Sequence, residues 1–137
     1  MNQNLIFIPM LLQVLLTLVV YALLAVAKSR AIKNGEVDLA RRALHADAWP
    51  DSVIKISNNV SNQFQAPVLF YVLAFLLYSL QAVGTLALIA AWGFTLSRLL
   101  HAAIHIGPNY VPARKSVFIL GLLCLLVLTS LSLIALF

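Results

Sequence analysis

Polar residues in this chain are gathered between long apolar runs rather than spread through them. Four runs stand out, at residues 5–27, 53–81, 82–106 and 117–137, and in the second the continuous apolar part starts only at Ala66. A bilayer core of roughly 30 Å is crossed by about 20 helical residues. Hydrocarbon offers the backbone no hydrogen bonds, so a spanning segment must be a helix or part of a closed barrel. The runs are continuous and do not alternate, which argues against barrel strands. The pattern therefore predicts four transmembrane helices. The first run has no basic residues before it and exceeds the about 7–15 apolar residues of a signal peptide, so it reads as a retained span.

Between the runs the signals are local. Asn34-Gly35 marks a turn in the loop 28–52, the only sizeable one. Residues 37–48 read as a short amphipathic surface helix, with Arg41, Arg42 and His45 on a solvated or headgroup face. Trp49-Pro50 ends it at the interface that Trp favours, and Asp51 or Ser52 is then placed to cap the second span. The connection at 81–85 is tight and makes spans two and three an antiparallel hairpin. Gly107-Pro108-Asn109 breaks the third span, and Pro112 starts the approach to the fourth.

Composition sharpens the class. The 137 residues are 63% hydrophobic and 9% charged, against about 45–50% apolar and about 25% charged in soluble domains. The fold class is thus all-α, an integral membrane four-helix bundle forming a single domain over residues 1–137. The nine basic residues are Lys28, Arg30, Lys33, Arg41, Arg42, Lys55, Arg98, Arg114 and Lys115. All but Arg98 lie in or border the first and third loops, which the positive-inside rule assigns to the cytoplasm, with both termini on the other side. Juxtamembrane cations attract anionic lipid, so the net charge of +5 points to lipids and not to nucleic acid. The lone Cys124 sits among leucines and reads as a small apolar group.

Polar residues inside the spans carry the candidate chemistry, because they are costly there. The second span opens with Lys55, Asn58, Asn59, Ser61, Asn62, Gln63 and Gln65. Of these, Asn58, Asn62 and Gln65 share a helical face at i, i+4, i+7. Near the end of the third span Arg98, His101 and His105 share a face at i, i+3, i+7. Asn62 and Arg98 each lie eight residues inside the same boundary, about 12 Å deep, so the two stripes can meet. From Val53 onward there are four cations and no Asp or Glu. Arg98 therefore has no acidic partner on neighbouring spans. Its guanidinium is served by an anionic ligand, a lipid headgroup, an Asp folded back from the loop, or, if it snorkels, by Asn and backbone oxygens. The histidines serve as interhelical hydrogen-bonding glue or as site residues.

Some functions lose support. Proton-coupled transport normally uses an intramembrane carboxylate. Two histidines on one helix cannot ligate both faces of a haem. A His-x3-His pair without a third ligand makes no metal site, so no metal is expected.

At these residues the chain resembles the MAPEG family, the membrane-associated proteins of eicosanoid and glutathione metabolism, as a bacterial-type member similar to microsomal glutathione transferases. Those have an Arg, a His three later, a Tyr seven later and a second Arg sixteen later. Here the series is Arg98, His101, His105 and Arg114, with Tyr replaced by His. The family's second-span pattern, an Arg, an Asn four later, a Glu three beyond that and then a Pro, reads Asn58, Asn62, Gln65 and Pro67. The resemblance implies a homotrimer with sites between subunits on the cytoplasmic side of a bacterial inner membrane, and a kink at Pro67. It implies glutathione as co-substrate, bound by Arg98, His101, Lys55, Asn58, Asn62 and Gln65. Arg114 is expected to hold the thiolate and His105 to donate a proton or hydrogen bond. A lipophilic electrophile or lipid hydroperoxide would enter from the bilayer. The expected function is a glutathione-dependent transferase or peroxidase, with non-catalytic lipid or anion binding in the same pocket as the alternative.

Overall fold

The computed structural model describes residues 2–137, and these are helical apart from turns and the loop. The helices are α1 (Phe7–Lys33), α2 (Asp51–Gln63), α3 (Ala66–Ser79), α4 (Thr85–Ile106) and α5 (Val111–Leu136). Single 3-10 turns occupy Gln3–Ile6 and Ala46–Ala48. Because α2 and α3 form one broken span, four segments are long and apolar enough to cross a membrane. Two ties mark the ends of the bundle. At the turn end, the Gln3 side chain accepts from Val83 N at 2.8 Å. At the loop end, Lys55 Nζ donates to Gly107 O at 3.1 Å.

On the loop side three helix ends lie further out than the apolar runs suggest, whereas α3 and α4 stop short of theirs at the turn, at Ser79 and Thr85. α1 runs on past Ala27 to Lys33 because nothing before Asn34-Gly35 breaks it. Gly35 adopts φ 71°, and Glu36 N then reaches back to Ala31 O at 3.0 Å, a left-handed close that glycine supplies without strain. Arg30 and Lys33 consequently sit in the last turn, where cations suit the helix dipole. α5 begins at Val111 and not at residue 117, since Pro112 fits a first turn whose N–H groups lack helical partners anyway. Arg114 and Lys115 are therefore helical. Neither Asp51 nor Ser52 caps α2, which starts at Asp51 behind Pro50 with no side-chain acceptor.

Residues 37–48 are not a helix. They fold as successive turns closed by Asp38 N to Ala48 O at 3.1 Å. The Asp38 carboxylate accepts from Ala40 N and Arg41 N, and Trp49 Nε1 takes the Arg42 carbonyl at 3.2 Å. A dozen residues form only a marginal helix alone, and these ties claim backbone groups that a helix would need.

The second span breaks where proline removes a donor. Pro67 has no N–H to give the Gln63 carbonyl, so α2 stops there and Gln65 turns out at φ −102°, ψ −104°. The chain tightens as Phe64 N bonds Ser61 O at 3.1 Å, while Gln65 N reaches Asn62 O only at 3.5 Å.

The apolar core fills the turn-end half. Phe70 stacks on Phe94 with centroids 4.6 Å apart, among Ala74, Leu77, Ala87, Ala90, Ala91, Leu125 and Leu128. α4 and α5 approach closely through small residues. A Cβ at Gly121 would lie 2.7 Å from Ser97 Oγ, and one at Gly93 would lie 3.0 Å from Cys124 Sγ.

Candidate functional site

In its loop-side half α4 changes character. Ser97, Arg98, His101 and His105 are all buried there, and α2 faces them with amides. Arg98 is 1% exposed. Its Nη2 donates to the Asn62 carbonyl at 3.3 Å. That oxygen is accessible because the break before Pro67 leaves it with the capping N–H of Phe64 and a long bond from Gln65 in place of a regular helical partner, so the kink creates the acceptor. The Arg98 Nε and Nη1 atoms are buried without partners. The guanidinium lies over the Phe118 ring of α5 at 5.6 Å.

Beside it, His101 packs on Phe118 with centroids 5.8 Å apart and on His105 at 5.6 Å, and His101 Nδ1 has no partner. His105 Nδ1 is shared by the amides of Asn59 at 3.2 Å and Asn62 at 3.3 Å. From there a relay of amides crosses the bundle. Gln63 Nε2 donates to Asn59 Oδ1 at 2.9 Å, and Gln13 Nε2 of α1 donates to Gln63 Oε1 at 2.9 Å.

The two stripes read from the sequence do meet, through Asn62 with Arg98 and His105. Other residues stand apart. Asn58 is exposed and borders a cavity beneath the loop. Gln65 is exposed as well, because the i+7 spacing assumed a helix continuous through Pro67. Lys55 is tied to Gly107 at the rim. Arg114 Nη1 donates to Asn109 Oδ1 at 2.6 Å, a contact set by the left-handed Asn109 (φ 52°). No loop carboxylate folds back onto Arg98 among the described residues. Asp47 and Asp38 pair with Arg41 at 2.8 and 4.0 Å, raising the Arg41 pKa first through the Asp47 hydrogen bond. Among the described residues no cluster of three His, Cys, Asp or Glu gathers.

Sequence reasoning passed over Gln13, and it named Asn59 and Gln63 among the polar residues of the second span without giving them a place in the site. A lone Gln in the apolar stretch of α1 was a signal, since an amide in hydrocarbon needs a partner. So was the i, i+4 spacing of Asn59 and Gln63, which defines the face toward α1.

These features define a membrane-spanning helical bundle with a buried cation, two histidines and an amide relay at one end. The profile of the MAPEG family matches residues 6–134, nearly the whole chain, and the chain belongs to that family. No curated protein and no solved structure matches it.

Proposed function

We propose that this MAPEG protein is a glutathione-dependent transferase or peroxidase acting on lipophilic electrophiles or lipid hydroperoxides. The observation that carries the reading is Arg98, buried with two nitrogens unpartnered and no carboxylate bonded to it among the described residues. A buried cation left this way costs several kcal/mol, and an anionic tripeptide would offset that cost. Family membership, which spans glutathione transferases and peroxidases, supplies the ligand class.

In this reading His101, Lys55, Asn58, Asn62 and Gln65 complete the anion site, and Arg114 faces the sulfur. A thiol of pKa about 8.5 is mostly protonated at neutral pH, and a nearby cation raises its thiolate fraction. Each pKa unit is about 1.4 kcal/mol. In conjugation the thiolate forms a C–S bond as the leaving group departs with its electron pair. In peroxide reduction the thiolate takes the terminal oxygen and the alkoxide receives a proton from His105. A second glutathione then yields disulfide and water.

The assembly proposed is a homotrimer with its sites between subunits, the loop end in the cytoplasm and the termini opposite. Asn58, Ser61 and Gln65 support it, since they are exposed along one span where hydrocarbon would be a costly neighbour. One observation favours the alternative of non-catalytic lipid or anion binding. Arg98 is covered by its own chain, so a ligand must open the bundle to touch it.

The test is calorimetry with glutathione, then turnover of an aryl halide and of a lipid hydroperoxide. Arg114→Ala is expected to abolish turnover. Arg98→Met should weaken glutathione binding while leaving thermal stability unchanged or higher, as replacing a poorly paired buried charge does. Binding without turnover would favour the alternative. Intact affinity with lost stability in Arg98→Met would make Arg98 structural and refute the anion site.

A further inference from the structure

A second cationic feature lies outside the buried centre. Beneath the loop is a cavity of about 220 Å³, bordered by Lys28 of α1, by Arg42, Leu44, His45 and Trp49 of the loop, and by the start of α2. Of the residues assigned to glutathione it shares only Asn58. Its border carries Lys28, Arg42 and His45 and no Asp or Glu. Both ion pairs of the described residues belong to Arg41, so neither Lys28 nor Arg42 is neutralised by a carboxylate. The site is built and not frayed. Lys28 Nζ sits 4.8 Å from the Trp49 ring centre, and Trp49 Nε1 holds the Arg42 backbone.

The apolar parts of the loop indicate where this cavity lies. Leu39 and Leu44 are 62% and 89% exposed within a run of charged residues. Trp49 is an interfacial residue type at the entrance to a span. Exposed leucines beside cations and an interfacial Trp suit a loop resting in the headgroup layer. The cavity then opens at phosphate depth, with Lys28 and Arg42 for the charge and Leu44, Val53 and Ile54 for the first carbons below it. We infer that it holds the phosphate headgroup of an anionic phospholipid. Zwitterionic choline lipids are disfavoured, because they bring a cation of their own to a border that already carries Lys28 and Arg42.

The experiment uses the full chain in neutral detergent with Trp92→Phe, which leaves Trp49 as the sole tryptophan. Dihexanoyl phosphatidylglycerol should change Trp49 emission saturably, and dihexanoyl phosphatidylcholine should not. Lys28→Gln and Arg42→Gln should each raise the midpoint roughly fivefold, the effect of about one juxtamembrane cation. Arg30→Gln, outside the cavity, should leave it unchanged. Saturating glutathione should not displace the lipid. Four results would overturn the inference: equal response to the choline lipid, equal response to inorganic phosphate, a midpoint insensitive to both cavity cations, or displacement by glutathione. The last would make the cavity part of the thiol site, so failure here is distinguishable from failure of the proposed enzyme activity.

Discussion

α4 is one helix with two halves. From Ala87 to Phe94 it buries alanines and an aromatic stack. From Ser97 to His105 it buries a cation and two imidazoles against amides. The first half is held by shape and tolerates best an apolar side chain of the right volume. The second is held by direction, since each donor needs an acceptor, and it leaves three nitrogens of Arg98 and His101 unpartnered. Stability should therefore concentrate in the first half and ligand chemistry in the second.

The sharpest break of this contrast is Phe94→Ala. Loss of the stack with Phe70 should cost about 3–5 kcal/mol, read by thermal denaturation in detergent, with glutathione affinity falling only as far as folding does. Next, Gly121→Ala drives a methyl into Ser97 Oγ, whose hydroxyl already donates to Phe94 O at 2.7 Å. A loss of about 1–3 kcal/mol is expected, and Ser97→Gly in the same chain should recover most of it, as a double-mutant cycle would measure. In the polar half, Asn59→Leu leaves Gln63 Nε2 without its acceptor and His105 Nδ1 with Asn62 alone. Interhelical bonds in bilayers are weak, on average about 0.6 kcal/mol, so stability should fall by about 1 kcal/mol. Turnover should drop further, because His105 loses its orientation. Equal losses in stability and turnover would erase the distinction between the halves.

The smallest effect is expected at Arg41→Gln in the exposed loop, with no measurable change in melting temperature. Its pH dependence follows from the raised Arg41 pKa. A cation stabilised in the folded state contributes fully below its ordinary pKa, which for Arg41 lies far above neutral, and loses that contribution only as pH rises through the raised folded value. Melting curves from pH 5 to 9 should therefore match between variant and parent.

The four spans were legible because bilayer thickness imposes a length that any apolar run must meet. The meeting of Arg98 with Asn62 was legible from depth alone, as both lie equally far from the same boundary. The exposure of Gln65 was not legible, because its face depends on an unbroken helix and Pro67 breaks it. Residues 37–48 were misread because Asp38 and Trp49 act across the loop through backbone groups, which a periodicity argument does not see. The relay through Gln13 was hidden for a related reason. Its members come from α1 and α2, and while a lone amide in an apolar stretch signals that a partner is needed, it does not name which helix supplies it.

Proline at position 67 couples two things usually tuned separately, the course of a helix and the lodging of a charge. Substituting alanine would let the helical ladder heal and reclaim the oxygen of residue 62. Arg98 would then lose that hydrogen bond and keep only the face of Phe118. Straightening the span for rigidity would thus disarm the site, and a more robust variant would be a less useful one.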